Sequence, residues 1–314
     1  MTLPQALIVA GPTASGKSAL AMDLAEMLGG TVINADAMQV YRELRVLTAR
    51  PTPADEARVP HRLYGVRPAA EAGSVAWWRG EALRAMAAAR LPILCGGTGL
   101  YLASLTDGLA DIPEPGPAAR AEARHRLAEL GPTRLHAALA AVDPATAARL
   151  RPGDSQRLAR AWEVWAGTGR GLAAWQAERA SPAPWRFAAI VIDPPRPALR
   201  DAIAARFGQM LAEGALEEVA ALLALRLDPA LPAMRAHGLP ELAAHLRGEW
   251  PLEAARRRAE LATGQYTKRQ ATWLRHHRLA PEGQTHTIHA RMTGLAQFSA
   301  SELADLRNFL RERG

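Results

Sequence analysis

The chain has 314 residues, 49% of them hydrophobic, and a formal net charge of +7, so it can bury a sizeable core and favours a polyanionic partner. Cys95 is the single cysteine, which excludes an intrachain disulfide and a zinc cluster built from several thiolates. The sequence shows neither a secretory leader nor an apolar run of membrane-spanning length, so we expect a cytoplasmic protein that does not enter a membrane.

The first predicted elements are a buried strand around Leu7–Val9 and a helix that starts near Leu20 and ends at Gly29. The residues between them match the phosphate-loop pattern G-x-x-x-x-G-K-[ST] in full, a pattern typical of ATP-binding and other nucleotide-binding proteins. Strand, loop and helix in this order direct backbone N–H groups toward phosphate oxygens. We therefore predict a phosphate site made of Gly11, Pro12, Thr13, Ala14, Ser15, Gly16, Lys17 and Ser18. Lys17 would reach the terminal phosphate and the Ser18 hydroxyl would ligate Mg²⁺.

Lysine usage also singles out the phosphate loop. The chain contains 38 lysine and arginine residues, yet only Lys17 and Lys268 are lysines. Lys17 must act as a compact point charge where a planar guanidinium does not fit, and Lys268 could be under a similar constraint. We expect Lys17 to be exposed on the loop and to add little to the packing of the core.

Two more predicted strands, Thr31–Asn34 and Pro92–Cys95, end at polar residues. Asp36 follows the first strand, and a glycine-rich turn that contains Thr98 follows the second. Residues just beyond the carboxyl ends of parallel strands line the ligand crevice of an α/β sheet. Asp36 could be a metal ligand, a general base or only a helix cap, and its position favours a functional role. The Thr98 hydroxyl could donate to a phosphate or to a base.

The remaining elements predict an α/β fold with a P-loop NTPase-like parallel sheet. Residues 43–72 are rich in proline and are predicted to be irregular, and a helix follows from Ser74. A proline-rich linker begins at residue 113, residues 118–179 are predicted helical, and a strand returns at Phe187–Asp193. We predict a discontinuous core domain (1–112 and 183–280), a helical insertion domain (113–182) and a tail of unknown role (281–314). From Pro197 onward every element is predicted to be helical.

Two predicted helices carry a basic face. Arg157 and Arg160 share one face in the insertion, but their spacing alone favours a solvated, ion-paired surface. Lys268, Thr272 and Arg275 share a face in the last long helix, within a 32-residue stretch (247–278) that carries eight basic residues and three glutamates. That face is compatible with phosphate contacts. A solvated helix explains it equally well.

Taken together, these motifs resemble the tRNA dimethylallyltransferases, the tRNA isopentenyltransferase family. The resemblance covers about residues 6–278 and rests on the phosphate loop, on Asp36–Arg42, on Gly96–Tyr101, on Asp154–Glu163 and on the Lys-Arg-Gln and Trp-Leu-Arg runs at residues 268–275. It implies a monomeric enzyme that uses Mg²⁺ and dimethylallyl diphosphate. The dimethylallyl group would be transferred to N6 of the adenosine 3′ to the anticodon of tRNA, which gives N6-isopentenyladenosine.

The resemblance also implies roles for individual residues. The phosphate loop would hold the diphosphate of the donor, and the catalytic residues would be Asp36, Lys17 and Thr98, with Asp36 accepting the proton of the amine. The helical insertion would bind the anticodon arm. Positions implied to contact tRNA are Asp36, Ala37, Met38, Gln39, Thr98, Arg120, Gln156, Arg157, Leu158, Ala159, Arg160, Arg235, Gly238 and Lys268. Thr98 and Arg120 also match positions that touch the nucleotide or the diphosphate.

The sequence departs from the family pattern at three places, and two other functions are compatible with the motifs. Ala37 replaces the usual serine after the aspartate, Leu47-Thr-Ala-Arg-Pro51 replaces Gly-Thr-Ala-Lys-Pro, and Leu239 replaces a tyrosine. A P-loop kinase of a small metabolite would use Asp36 as its base, but would not need the basic helix. An RNA-binding module without catalysis would keep the phosphate site, but would have no use for Asp36.

Overall fold

The computed structural model describes residues 3–178 and 181–311. The chain divides into two compact units: Met1–Thr106 together with Ala183–Gly314, and Asp107–Pro182. The first unit contains the sheet. The second is a helical segment inserted between two of its strands.

The sheet of the first unit has six strands in the order β3-β2-β4-β1-β5-β6. The strands are β1 (Gln5–Ala10), β2 (Thr31–Asn34), β3 (His61–Arg62), β4 (Pro92–Gly96), β5 (Arg186–Ile192) and β6 (Thr285–Ile288). Every pair is parallel, and the central strand β1 places Leu7 opposite Ile93 of β4 and opposite Ala188 of β5. A parallel sheet buried on both faces requires continuous apolar strands, which β1 and β4 have. The predicted α/β fold is confirmed.

Helices of the first unit cover both faces of this sheet. Those of the first unit are α1 (Lys17–Leu28), α2 (Pro53–Arg58), α3 (Val75–Ala87) and α4 (Gly99–Thr106), and those of the insertion are α5 (Gly116–Val142), α6 (Pro144–Ala147), α7 (Ser155–Thr168) and α8 (Leu172–Gln176). After β5 come α9 (Arg196–Ala212), α10 (Ala215–Ala224), α11 (Leu239–Leu246), α12 (Leu252–His276) and α13 (Ala300–Arg311). One buried cluster contains Ile8 and Trp78, and a second contains Val9, Leu20 and Ile190.

Two stretches differ from the sequence-based expectation. Residues 43–72 are not irregular throughout, because Thr52 caps the short helix α2 through a reciprocal hydrogen-bond pair with Asp55, and β3 follows. The expectation that every element after Pro197 is helical is wrong at β6, where His286 lies opposite Ile190 of β5. This strand has four residues and lies at the edge of the sheet. It is therefore too short and too exposed to show a clear hydrophobic pattern.

The insertion unit has its own apolar core. Helices α5 and α7 supply most of it, including Leu135, Leu139, Leu158 and Trp162. Helix α7 begins where the Asp154 side chain accepts a hydrogen bond from a backbone N–H of the first turn, and it ends at Gly169. Gln156, Arg157 and Arg160, three of the candidate RNA contacts on α7, are exposed.

The burial of Leu158 leads to a stability prediction. Its side chain is 0% exposed, so Leu158→Ala should lower the free energy of unfolding by about 2–5 kcal/mol through lost packing and a residual cavity. The neighbouring Arg157 side chain is 74% exposed, so Arg157→Ala should leave the unfolding free energy within about 0.5 kcal/mol. Denaturant unfolding followed by tryptophan fluorescence compares the two variants. Equal stabilities would contradict the assignment of Leu158 to the core.

Candidate active site

The phosphate loop connects β1 to the N-terminus of α1, as the sequence predicts. Gly16 has φ +90°, and an added Cβ there would lie 1.8 Å from the Met292 carbonyl oxygen, so only glycine fits. Ala14 also has a positive φ, of 65°, which is uncommon for a residue with a side chain. The Ser15 hydroxyl is buried, and the part of the chain that the structure describes offers it no hydrogen-bond partner. These features are typical of a loop whose backbone is shaped to receive an anion.

Lys17 is the first residue of α1, and it is 9% exposed. The expectation of a loop-exposed lysine is therefore wrong: the side chain lies inside the crevice, with Nζ 3.3 Å from the Pro12 carbonyl oxygen. Burial lowers the pKa of Lys17, and the Asp36 carboxylate opposes this effect. The positive charge is thus held away from bulk water, where an anionic ligand gains most from it.

Asp36 lies directly after β2, in a turn fixed by the buried Asn34. The Asp36 N–H donates to Asn34 Oδ1 at 2.8 Å, and Asn34 Nδ2 donates to the Asp36 carbonyl oxygen at 2.9 Å. One carboxylate oxygen of Asp36 accepts a hydrogen bond from the Met38 N–H at 2.9 Å. No helix begins here, since residues 37–42 form turns, so the helix-cap alternative is excluded. Asp36 is half-buried and lines the same crevice as Lys17.

Thr98 supports the Asp36 turn. Its hydroxyl accepts a hydrogen bond from the Ala37 N–H at 3.0 Å, and its own N–H donates to the Ala35 carbonyl oxygen at 3.2 Å. The expected contact of Thr98 with a phosphate or a base stays a prediction. In the structure the Thr98 hydroxyl is hydrogen-bonded to the backbone of Ala37, the residue after the candidate base Asp36.

The crevice of the first unit brings together part of the predicted site and several residues that the sequence did not indicate. Its volume is about 80 Å³. Its lining consists of Thr13, Lys17, Ser18, Asp36, Met38, Gln39, Leu47, Thr48, Ile203, Arg206, Phe207, Met210, His237, Thr263 and Tyr266. Lys17 and the hydroxyl residues of the loop, Thr13 and Ser18, therefore share one cavity with the Asp36 carboxylate and with a group of apolar side chains.

Arg206 of α9 is the most important residue that sequence reasoning missed. Its Nη2 donates to the Thr48 carbonyl oxygen at 3.1 Å, while within residues 3–178 and 181–311 no acceptor satisfies the buried Nε. Burial lowers the pKa of Arg206, and Asp36 opposes this. The available signal is its position on the same helix face as the apolar Ile203 and Phe207. An arginine whose Nε is buried on an apolar stripe needs an anionic partner.

Helix α12 contributes a second set of missed contacts. Gln270 Oε1 accepts from the Thr13 N–H at 2.9 Å, and Gln270 Nε2 donates to the Gly97 carbonyl oxygen at 3.0 Å, so one side chain joins both glycine-rich turns. The Tyr266 ring lies 4.4 Å from the ring of His237. Burial raises the pKa of Tyr266 to about 12 and lowers the pKa of His237. Burial therefore favours the neutral form of both rings.

The other tRNA-contact candidates of the first unit occupy different environments. Gln39 lines the crevice and donates from Nε2 to the Thr48 and Ala49 carbonyl oxygens, each at 3.0 Å. Arg235 and Lys268 are exposed, and Lys268 lies outside the crevice lining. Gly238 is buried with φ +90°, and an added Cβ would meet the Phe207 ring at 2.8 Å. Its role here is to let the chain pass close to Phe207.

In the insertion unit, the predicted basic face is exposed and ion-paired. Arg160 contacts Glu163 at 2.7 Å, Arg120 Nε contacts the same carboxylate at 3.2 Å, and Arg157 lies 3.5 Å from Asp154. Gln156 is exposed and Ala159 is half-buried. The Leu158 side chain packs in the core of the insertion, so the predicted tRNA contact at this position stays a prediction for its backbone alone. A run of five consecutive helical residues cannot all face one ligand, because the helix turns every 3.6 residues.

Among residues 3–178 and 181–311, no group of three or more His, Cys, Asp or Glu side chains is placed to hold a metal ion. Magnesium is usually bound through one or two protein oxygens, with the remaining positions taken by substrate phosphates and water. Ser18 and Asp36 line the same crevice, and their hydroxyl and carboxylate oxygens supply such a set. The site therefore fits a magnesium ion that is shared with a phosphate-containing ligand.

The parallel sheet and the glycine-rich loop between β1 and α1 define an α/β protein with a P-loop-like fold. Residues 39–277 match the model of the IPP transferase family, and the chain belongs to that family. A protein of Acidiphilium cryptum named tRNA dimethylallyltransferase is 64% identical over 305 residues, which cover 97% of this chain and 94% of that protein. Of the helices in the described part of the chain, none has the length and apolarity needed to cross a membrane.

Solved structures agree with the fold. The full-length tRNA isopentenylpyrophosphate transferase of Bacillus halodurans is 28% identical, with a TM-score of 0.68, and the match covers 98% of this chain and 96% of that one. A eukaryotic dimethylallyltransferase, described as acting on tRNA, matches with a TM-score of 0.82 at 24% identity over 99% of this chain and 80% of its own. The latter likeness concerns the fold alone.

Proposed function

We propose that this protein transfers a dimethylallyl group from dimethylallyl diphosphate to N6 of the adenosine 3′ to the anticodon in tRNA, giving N6-isopentenyladenosine. One observation carries the proposal: a single crevice joins the phosphate-loop lysine, a carboxylate and an apolar wall. This combination suits a donor with a charged diphosphate and a short apolar chain. The protein's membership of the IPP transferase family and its 64% identity to a tRNA dimethylallyltransferase support the same reaction.

The diphosphate is bound at the phosphate loop. Backbone N–H groups at the start of α1 and the buried charge of Lys17 stabilise it, and Arg206 supplies a second cation from the facing helix. A magnesium ion held by Ser18, when bound, would neutralise part of the diphosphate charge. Because negative charge grows on the diphosphate as the carbon–oxygen bond breaks, these cations stabilise the transition state more than the bound donor.

The dimethylallyl group lies against the apolar part of the crevice. Met38, Leu47, Ile203, Phe207 and Met210 form that wall. They exclude water, which would otherwise compete with the amine for the allylic carbon. The five-carbon chain is therefore held between its leaving group and its acceptor.

Asp36 acts as the general base on the acceptor side. The bond between C1 of the dimethylallyl group and the diphosphate oxygen breaks, and a bond between C1 and the adenosine N6 forms. The N6 proton passes to the Asp36 carboxylate, and diphosphate leaves with the electron pair of the broken bond. Two hydrogen bonds between Asn34 and the Asp36 backbone fix the turn, and the Met38 N–H donates to the carboxylate and keeps it in place. Thr98 holds the turn through Ala37.

We propose that the enzyme acts as a cytoplasmic monomer and binds the anticodon arm of tRNA through exposed basic residues. The target adenosine must leave its stack to reach Asp36. The exposed cations Arg157 and Arg160 on α7 and Lys268 on α12 are suited to phosphate contacts. Arg157 pairs with the partly exposed Asp154, which an RNA phosphate can replace at little cost, and Arg160 pairs with the more buried Glu163.

Release of diphosphate tests the proposal. Diphosphate should appear when both dimethylallyl diphosphate and unmodified tRNA are supplied, and should stay at background when either is omitted. Donor hydrolysis without tRNA, at a rate that tRNA does not change, would contradict transfer to RNA. ATP-dependent phosphorylation of a small metabolite would instead support a P-loop kinase.

Salt dependence tests the tRNA-contact residues. The affinity for tRNA should fall steeply with salt, because phosphate contacts release counterions, and Arg160→Ala or Lys268→Ala should each weaken binding and reduce the logarithmic salt slope by about 0.7–0.9. Arg160→Ala should leave the affinity for dimethylallyl diphosphate unchanged. The matched control is Arg126→Ala, which removes an exposed, ion-paired arginine from α5. A tRNA affinity that does not change with salt would indicate that both basic faces are solvated surfaces without phosphate contacts.

A further inference from the structure

The segment after β6 packs against the phosphate loop. We call residues 289–297 the C-terminal segment; it lies beyond residues 39–277, which match the family, and the sequence suggests no role for it. Met292 is 3% exposed and belongs to the buried cluster that contains Leu20 and Leu24 of α1. The end of the chain therefore contributes to the core directly behind the loop.

Two consecutive residues of the C-terminal segment bind two consecutive carbonyls of the phosphate loop. Arg291 Nε donates to the Ala14 carbonyl oxygen at 3.1 Å, and the Met292 N–H donates to the Ser15 carbonyl oxygen at 2.9 Å. The next loop residue, Gly16, leaves no room for a Cβ against the Met292 backbone. The loop is thus held on the side opposite to the N–H groups that would face a phosphate.

The C-terminal segment is itself fixed at several points. The Leu295 N–H donates to Asp23 Oδ2 of α1 at 2.7 Å. Gln297 Nε2 donates to the Arg291 carbonyl oxygen at 2.9 Å, and Gln297 Oε1 accepts from the Thr293 N–H at 3.0 Å. Because the segment is anchored to α1 and closed on itself, it can hold the loop in one conformation.

Holding the carbonyls matters because of the shape that a phosphate loop must adopt. Its N–H groups point toward the ligand, so its carbonyl oxygens point outward and need donors of their own. Ala14 adopts a left-handed conformation, which a residue with a side chain keeps only when its surroundings enforce it. A loop already held in the binding conformation loses less entropy when the anion arrives, and it binds more tightly.

We propose that Arg291 and Met292 are positioning residues of the phosphate loop, so that the C-terminal segment preorganises the loop for diphosphate. The identity of the ligand rests on the proposed function; the contacts do not. Arg291 also acts electrostatically on the crevice. Burial lowers the pKa of Arg206, Asp36 opposes this, and the positive charge of Arg291 adds a smaller lowering. An anion bound at the loop relieves that repulsion.

Calorimetric binding of inorganic diphosphate to the full chain tests the proposal without requiring turnover. Arg291→Ala should weaken binding by about 10-fold, the equivalent of one hydrogen bond to a carbonyl. Arg291→Lys should recover part of the affinity. In steady state, Arg291→Ala should raise the KM for dimethylallyl diphosphate and leave kcat and the KM for tRNA near wild type. The matched control is Arg278→Ala, which removes an exposed arginine between α12 and β6.

A second variant guards against a simple loss of folding. Asp23→Ala releases the Leu295 N–H at the far end of the C-terminal segment and does not touch the crevice lining. It should also weaken diphosphate binding, and the double variant with Arg291→Ala should lose less than the product of the two effects, because both act on one element. Wild-type affinity for diphosphate in both single variants, or an equal loss of tRNA and diphosphate affinity with a lowered Tm, would overturn the inference. Failure of the wild type to bind diphosphate would instead overturn the proposed ligand.

Discussion

Lys17→Ala should lower kcat/KM by about 10²–10³-fold or more, because it removes a preorganised charge that faces the developing diphosphate. The fold should survive. Lys17 is buried, and a buried ammonium carries a desolvation cost, so its removal should leave the Tm unchanged or slightly raised. Steady-state transfer kinetics and thermal unfolding of the same preparation measure both quantities. Lys17→Arg should rescue poorly, because a planar guanidinium needs different geometry.

The only other lysine supplies the control for this experiment. Lys268 is exposed and lies outside the crevice lining, so Lys268→Ala should bind inorganic diphosphate as the wild type does. Lys17→Ala should lose most of that binding. Activity of Lys17→Ala within a few-fold of wild type would remove the phosphate loop from the mechanism.

Asp36→Asn should depress the transfer step by about 10²–10⁴-fold, the usual effect of removing a general base. The substitution keeps the shape of the side chain and an oxygen that can accept from the Met38 N–H, so the turn after β2 should persist. The affinities for tRNA and diphosphate should stay near wild type. Single-turnover transfer with saturating enzyme measures the chemical step without contributions from product release.

A magnesium titration of Asp36→Asn separates its two possible roles. If Asp36 is the base, the rate stays low at every magnesium concentration. If Asp36 is mainly a metal ligand, excess magnesium should restore much of the rate, and that result would make us abandon the base role. Thr98→Ala is a useful companion, because it loosens the Asp36 turn through Ala37 and leaves the carboxylate in place.

The phosphate loop and the sheet could be predicted from sequence because their signals are local. A strand, a glycine-rich loop and an amphipathic helix occur within Leu7–Gly29, and each constrains the next. Asp36 was identified for a similar reason, since its position at the end of a predicted strand places it in the crevice of any parallel sheet. The structure places it there.

Arg206 and Gln270 could not be found in this way. Each lies in a helix far along the chain, and its function depends on which loop that helix meets in the folded protein. A lone arginine in an arginine-rich sequence carries no pattern, and the apolar residues beside Arg206 made the face look like ordinary core. Such long-range contacts are decided by tertiary packing, which sequence periodicity does not encode.

Two residues are more buried than the sequence suggests. Leu158 is among the positions that the family resemblance implies for tRNA, and the helical period turns its side chain into the core of the insertion. The burial of Lys17 was missed because a glycine-rich loop is normally exposed. Here the C-terminal segment and α12 pack against the loop: Arg291 binds it from one side, and Gln270 contacts Thr13.

Nucleoside mass analysis of tRNA tests directly whether the protein transfers a dimethylallyl group to the adenosine 3′ to the anticodon. Unmodified tRNA is incubated with the protein, magnesium and dimethylallyl diphosphate, and is then digested and compared with samples that lack the donor or contain Asp36→Asn. We expect one new nucleoside, an adenosine heavier by one dimethylallyl group, which maps to the position 3′ to the anticodon and is nearly absent from both comparison samples. Unchanged nucleosides, from protein that is folded and binds diphosphate, would contradict it.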